Sequence, residues 1–330
     1  EMRILFSFFA VIALVLSAYA GVKIANLQFL FGVVIPYIAI AIFILGFIYR
    51  VLKWGSSPVP FRIPTTCGQQ KSLPWIKQSR IENPSSISGV IIRMALEVLL
   101  FRSLFRNLKT QLKDGKLVYG EAKWLWLAGL AFHWSFLIIF VRHFRLFLQN
   151  TPSFIKTIEG LDSFLQVGVP LLYMTDVVLL GAVTYLFLRR VFIPQVNYIS
   201  LAADYFPLFL IFGIAASGVL MRYFYKVDIV GVKELAMGLV ILNPVIPQGI
   251  GVIFYIHLFL ICTLLAYFPL SKLMHMAGVF LSPTRNMVNN SRMVRHINPW
   301  NYPVHVHTYE EYENDFREKM KKAGIPVEKE

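Results

Sequence analysis

Six stretches of the chain stay apolar long enough to cross a bilayer, at roughly 3–20, 30–51, 123–143, 163–188, 203–223 and 248–270. About 20 apolar residues wound as a helix match the thickness of the hydrocarbon layer. The polar stretches between them differ in kind. Residues 53–88 hold five prolines (Pro58, Pro60, Pro64, Pro74 and Pro84) among many turn formers. That composition predicts ordered loop with short extended pieces, carrying Phe61 and Trp75 as apolar anchors, and not helix. Residues 89–108, "GVIIRMALEVLLFRSLFRNL", set Arg93, Arg102 and Arg106 on a helical period among apolar residues. They predict an amphipathic helix at the membrane surface. A seventh span is the alternative, and the charges within the segment oppose it. From Ser282 the chain turns polar, with the acidic "YEEYEND" followed by the basic "REKMKK". A solvated helix is the plain reading of this tail, and docking onto a soluble partner the sharper one.

The pattern divides the chain into two N-terminal spans (1–52), a polar segment with an amphipathic helix (53–121), a four-helix unit (122–282) and a tail (283–330). The expected fold is an all-α membrane protein with six transmembrane helices, four of them forming the core. Arg3, the apolar run after it and "SAYAG" also resemble a signal peptide. A retained anchor is the expected alternative.

Composition supports lipid as the solvent: 57% of the 330 residues are hydrophobic and only 15% charged, where a soluble domain has about a quarter. Mean hydropathy is +0.61. The net charge of +14 points to orientation signals and anionic headgroups before nucleic acid, because the basic residues flank apolar segments. With the N-terminus in the cytoplasm, that side holds Arg3, thirteen basic residues between Arg50 and Lys123, Arg189, Arg190 and nine from Lys272 onward. The other side keeps only Lys23, Arg142, Arg145, Lys156, Arg222, Lys226 and Lys233. Both termini are therefore expected in the cytoplasm. Cys67 and Cys262 make neither a disulfide framework nor a CxxC pair.

Four of the seven histidines fall in spans or at their ends: His133 and His143 on the third, His257 and His275 on the sixth. Ionisable groups in a bilayer are costly and point to function. A single one is more often a hydrogen-bonded core residue, but two pairs on two helices are harder to dismiss. Three connections separate these spans, so they run antiparallel. His143 should then face His257, and His133 should face His275. At 1.5 Å per residue the separations along the helices are roughly 15 Å and 27 Å. Tilt must absorb the difference, with Pro269 a place to bend. Two stacked bis-histidine sites suit two b-type haems, since two fixed imidazoles leave no open coordination position and favour electron transfer. No CxxCH is present, so covalent c-type attachment is excluded. Gly129, Ala131, Ala277 and Gly278 would admit a porphyrin. Arg142 and Arg145 would pair with its carboxylates, the plain alternative being arginines that snorkel to the interface.

His-x9-His on one helix and His-x17-His on a later one also resembles the gamma subunit of respiratory nitrate reductase, a dihaem cytochrome b. That resemblance covers about 120–280. It implies crossed ligand pairing, quinol oxidised near the outer haem, and electrons leaving from the inner haem to a cytoplasmic iron–sulfur subunit. The extra first span and the long loop depart from that pattern. The loop "SPVPFRIPTTCGQQKSLPWIKQ" and the tail "NPWNYPVHVHTYEEY" resemble instead the DsrM family of the DsrMKJOP complex in sulfur metabolism. This narrower resemblance implies menaquinol as substrate and a DsrK-like subunit related to heterodisulfide reductase as partner. The related Hme-type cytochromes would look similar.

Quinol oxidation needs a proton acceptor, and Lys156, Glu159 and Asp162 follow His143 on the outer side. Asp176, inside "LLYMTDVVLLGA", reads as a proton relay or as an acid bonded to a neighbouring hydroxyl. Cys67 reads as a buried thiol or a contact to a partner's cluster. His305 and His307 form an HxH that reads as a solvated pair or partner contact before a metal site, and His296 is similar. A proton-coupled transporter using His133, His143, Asp176 and His257 is the rival from another class. A passive membrane anchor for a soluble complex is a further one.

Overall fold

The computed structural model describes residues 2–59, 68–163, 172–292 and 305–329. Cys67, Pro60, Phe61, Pro64 and His296, singled out above, lie outside these residues. Five helical stretches are long and apolar enough to cross a membrane: Met2–Ile24, Leu30–Gly55, Lys123–Phe147, Ala202–Phe224 and Val252–Leu270. Within them lie α1 (Met2–Tyr19), α2 (Ile35–Gly55), α5 (Lys123–Phe147), α9 (Ala202–Val219) and α11 (Val252–Tyr267). Short π turns at Ala20–Ile24, Leu30–Val34 and Leu220–Phe224 extend α1, open α2 and extend α9.

Among the described residues, the span expected at 163–188 is shifted along the chain. Helix α6 (Ser153–Asp162) ends there, and α7 runs Met174–Phe192. Asp176, Arg189 and Arg190 confine the uncharged run of α7 to 177–188, about 18 Å at helical rise. It nevertheless sits inside the bundle. Leu179 and Val183 of α7 join Val11 of α1, Leu210 and Ile211 of α9, and Leu260 and Leu264 of α11 in the main buried cluster. Ala18 and Val22 meet Phe31 and Tyr255 in a second cluster, which fastens the entry to α2. Helix α1 is tied down by polar contacts too: the Ser7 hydroxyl donates to the Ala202 carbonyl at 2.9 Å, and Arg3 reaches the Ser200 carbonyl. Outward positions such as Phe6, Phe9, Leu16, Leu45 and Leu52 are apolar and exposed, the inversion expected where lipid replaces water.

The bundle end where α2 finishes and α5 begins carries a polar cap. Helix α3 (Ile87–Leu100) starts on Ser86, whose hydroxyl accepts from the Gly89 N–H at 3.3 Å. The single helix expected over 89–108 breaks at Phe101, which adopts a left-handed backbone (φ 50°, ψ 45°), and only the short α4 (Arg102–Phe105) follows. Next comes an antiparallel hairpin of β1 (Leu108–Lys113) and β2 (Lys116–Glu121), with Lys113 opposite Lys116. An all-α reading had no place for it. Asp114 and Gly115 both take positive φ (51° and 72°), the two-residue turn that an Asp-Gly pair favours. Segment 68–86 is stitched to the chain beyond α11: the Asn289 amide donates to Asn83 Oδ1 at 2.7 Å and the Asn289 N–H to the Pro84 carbonyl at 2.8 Å. Glu82 binds Arg102 and Arg106, and Arg285 meets Glu97 at 3.4 Å.

Short helices close the opposite end: α6 and α10 (Ile229–Val240). The connector α8 (Pro194–Ile199) links α7 to α9. In the tail, α13 (Tyr309–Lys322) begins with a reciprocal cap, Thr308 Oγ1 accepting from the Glu311 N–H and Glu311 from the Thr308 N–H.

Candidate functional site

His143 of α5 faces His257 of α11, with ring centres 6.4 Å apart and planes 19° from parallel. Nearer the capped end, His133 faces His275, with centres 5.9 Å apart and planes at 83°. Two imidazoles holding one metal from opposite sides have ring centres on the order of 6 Å apart, taking metal–nitrogen bonds of about 2 Å. Helix α5 packs chiefly on α7, α7 also on α9, and α9 on α1 and α11. The four helices α5, α7, α9 and α11 thus form a ring in which imidazoles bridge from α5 to α11.

The other ring nitrogen of each histidine is already engaged. His133 Nδ1 lies 2.7 Å from the Gly129 carbonyl, His143 Nδ1 2.7 Å from that of Ile139, and His275 Nδ1 2.9 Å from that of Lys272. A carbonyl only accepts, so Nδ1 carries the proton and Nε2 keeps its lone pair. His257 Nδ1 meets Ser217 Oγ at 2.9 Å, and that hydroxyl donates to the Gly213 carbonyl at 2.7 Å. Its remaining role toward His257 is therefore acceptance. In all four residues Nε2 is left with its lone pair available, and the ring is oriented by the partner on Nδ1.

His275 does not share one continuous helix with His257, as the eighteen-residue spacing had suggested. Pro269 lies in a 3₁₀ turn, and Ser271 is extended (φ −116°, ψ 178°). A second 3₁₀ turn then leads into the short α12 (His275–Gly278). Lys272 holds this segment to α9 through Asp204 Oδ1, 2.7 Å from its ammonium. Phe101 and Phe132 both stand edge-on to the His133 ring at 4.9 Å, so the unusual backbone of Phe101 places an aromatic ring against this histidine. The His143–His257 pair is the more enclosed of the two, with His257 buried, while His133 and His275 are exposed.

Around the enclosed pair lies a polar cluster whose full extent the sequence did not disclose. Arg142, itself buried, pairs with Asp176 at 2.8 Å and Asp162 at 3.2 Å. Asp162 also accepts from the Thr175 N–H (2.9 Å) and hydroxyl (2.6 Å). Asp176 accepts from the Tyr223 hydroxyl at 3.1 Å, and that hydroxyl accepts from the Tyr173 N–H at 3.0 Å. The guanidinium groups of Arg142 and Arg222 both stack on the ring of Tyr173, at 3.7 Å and 4.0 Å from its centre. Arg145 pairs with Glu159 at 3.0 Å, and Lys156 is exposed on α6. Of the three acceptors expected beyond His143, Asp162 and Glu159 are thus engaged by arginines. Tyr173, Ser217, Arg222, Tyr223 and Phe101 were missed. For Arg222 the signal was a charge beside an apolar run, and for the others only a hydroxyl or aromatic residue at a helix end, and such residues are common there.

The tail pair gains a third group: His305, His307 and Glu311 bring possible ligand atoms within 4.8 Å of one another, all on exposed residues. Glu311 is already occupied in capping α13. Cys262 is a free, buried thiol on α11.

The family described as nitrate reductase gamma subunit matches residues 86–296, a stretch that contains all four paired histidines. Two relatives carry the name Hdr-like menaquinol oxidoreductase cytochrome b-like subunit. The one from Archaeoglobus fulgidus is 46% identical over 278 residues, 82% of this chain and 83% of that protein. The one from Archaeoglobus profundus is 43% identical over 274 residues, 81% of each.

Proposed function

The chain belongs to the nitrate reductase gamma subunit family, and we propose that it is a membrane dihaem cytochrome b carrying electrons between menaquinol and a cytoplasmic iron–sulfur subunit. One observation carries this reading: four imidazoles form two cross-helix pairs, each with Nδ1 bonded to the protein and Nε2 free. His143 with His257 would hold one haem b, and His133 with His275 the other. Bound there, each haem supplies one-electron chemistry with no vacant coordination position. The donor set fits. Arg142 Nε is buried and makes no hydrogen bond among the described residues, leaving a donor for a haem carboxylate, and Arg145 stands half-exposed beside it.

The excess of Lys and Arg on segment 50–123 and on the tail orients the protein with both termini in the cytoplasm. The His143–His257 haem is then the outer one and the His133–His275 haem the inner. Helix α7 serves as the sixth span. Its charges lie near its ends and are bonded there, Asp176 to Arg142 and Tyr223, and Arg190 to the Ser200 hydroxyl at 3.1 Å. Quinol oxidised at the outer haem releases protons outside while electrons move inward, so turnover is electrogenic. The names of the two relatives support menaquinol as substrate and an Hdr-like complex as the setting; a DsrK-like partner subunit in a sulfur-metabolism complex of the DsrMKJOP type rests on the resemblance of the loop and tail alone.

A dithionite-reduced minus oxidised spectrum of the purified protein, with haem counted per chain, tests the reading. Two haem b per chain are expected. A protein without haem absorbance that moves protons with a solute would replace this reading with the transporter.

A further inference from the structure

His305 and His307 stand just ahead of α13, and the fold brings a third kind of donor beside them. Residues 305–308 form neither helix nor turn, and Thr308 is extended (φ −70°, ψ 164°). Side chains two positions apart on an extended chain share a face, and the two imidazoles accordingly stand 4.8 Å apart between ring centres. Glu311 folds back over the start of α13 to accept from the Thr308 N–H at 2.8 Å. That fold leaves Glu311 Oε2 3.9 Å from His307 Nδ1. Donor atoms of the three residues lie within 4.8 Å of one another. We infer that His305, His307 and Glu311 form a site for one divalent cation of the zinc class on the tail. The site goes beyond the haem reading and does not depend on it, since no membrane histidine takes part.

The donor set selects the metal. Two imidazoles and one carboxylate are ligands that zinc accepts together with a water in the fourth position. Magnesium and calcium prefer oxygen donors throughout. Zinc–ligand bonds of about 2.0–2.2 Å at tetrahedral angles put donor atoms roughly 3.3 Å apart. Reaching that spacing from at most 4.8 Å is a matter of side-chain rotation, because all three residues are exposed.

The cap of α13 and the metal do not compete for the same lone pair. The Thr308 N–H takes one acceptor position on Glu311 Oε2, and a carboxylate offers about four over its two oxygens. Oε1 therefore remains for a cation while the helix keeps its cap. The positive end of the helix dipole opposes a cation here, and the ionised Glu311 in the first turn offsets it. Glu310, in the same turn, is paired with Lys329, so Glu311 is the acid that serves the imidazoles. A bound ion would cross-link segment 305–308 to the first turn of α13.

The test uses the untagged full-length protein in lipid nanodiscs, stripped with a chelator and titrated with zinc chloride against a chromophoric zinc indicator. One equivalent should bind with a dissociation constant of about 1 µM or below, and excess magnesium should not displace it. His305→Ala and His307→Ala should each weaken binding by at least the about 10–100-fold that losing a ligand's orienting partner already costs. Glu311→Gln should weaken it too while leaving the helix intact, because Gln also serves at that position of the cap. Zinc should slow hydrogen exchange at 305–312 in the parent and in none of the three variants. Zinc bound at parent affinity by both histidine variants overturns the site, as does a parent whose exchange zinc leaves unchanged. Weakening in both histidine variants with parent affinity in Glu311→Gln overturns the three-ligand assignment. Zinc entering the paired membrane histidines of haem-free protein would appear equally in parent and tail variants, so the comparison holds whether or not the haem reading does.

Discussion

Each of the four imidazoles commits one nitrogen to the protein and keeps the other for a ligand, so replacements should act in pairs. His143→Ala and His257→Ala should abolish the same spectral component, and His133→Ala and His275→Ala the other. Loss of one common component in His133→Ala and His257→Ala would sink the crossed arrangement. Ser217 supplies a finer probe, because it touches the site only through His257 Nδ1. Ser217→Ala removes that acceptor, a loss of about 0.5–1.5 kcal/mol. Loss of such an orienting partner typically weakens metal binding by about 10–100-fold. Transfer of haem to an apoglobin acceptor should accordingly accelerate for the outer component only. Equal transfer rates in variant and parent would show that Ser217 plays no part in holding His257.

At the level of elements, the break that delivers His275 depends on a close approach. A Cβ at Gly46 of α2 would lie 2.7 Å from both Cβ and Cγ of Pro269. Gly46→Val should force these segments apart, at an overpacking cost of about 1–3 kcal/mol. A lower thermal midpoint and a broadened inner-haem band are expected. Gly55→Ala, at a position with open space around it, is the control that should change neither, and matching behaviour of the two variants would refute the packing argument. The cap has its own acid sensitivity. Burial pushes the Glu82 carboxyl up, but its hydrogen bond to Arg102 and the charges of Arg102, Arg106 and Arg93 outweigh this and hold it below the usual carboxylate value. A depressed folded value means that the stabilisation is present at neutral pH and is lost as pH falls through that lowered value. Hydrogen exchange in 68–106 should therefore quicken only below the ordinary carboxylate range. In Glu82→Gln it should be fast already at pH 7; slow exchange there would remove Glu82 as the clasp. The long apolar helices were legible because lipid demands an unbroken apolar run, and their observed ends fall within a few residues of the expected ones. Three features were not. Phe101 is a bulky residue whose left-handed turn its type does not announce. The hairpin strands are mostly exposed on both faces, so no alternation marked them, although Asp114–Gly115 did carry the turn signal. His275 keeps helical spacing from His257 without keeping a helix.

Across the whole molecule, the two histidine pairs lie toward opposite ends of one bundle, and the His133–His275 pair sits beside the stitched cap. That order was readable from connection parity alone, whereas the polar cluster around Arg142 was not, because it joins α5, α6, α7 and α9 through contacts that no sequence spacing records. The cap and tail expose apolar groups as a docking face would: Trp75 and Leu112 are each 77% exposed. Binding of the iron–sulfur partner should slow hydrogen exchange in 68–88 and in the hairpin. Unchanged exchange in both, with the partner demonstrably bound, would move the contact elsewhere. At the opposite end, α1, α2 and α9 each carry a π turn, a form that accommodates one residue more than a regular helical turn. The chain there is one deletion away from an ordinary helix in three places, so its length can change by a single residue without unravelling the fold. Such a deletion within 220–224 would turn the following residues by about 100° around the helix axis and swing Tyr223 off Asp176. Length variation at that end is thus a route by which related chains could reshape the polar cluster around Arg142 while leaving all four imidazoles where they are.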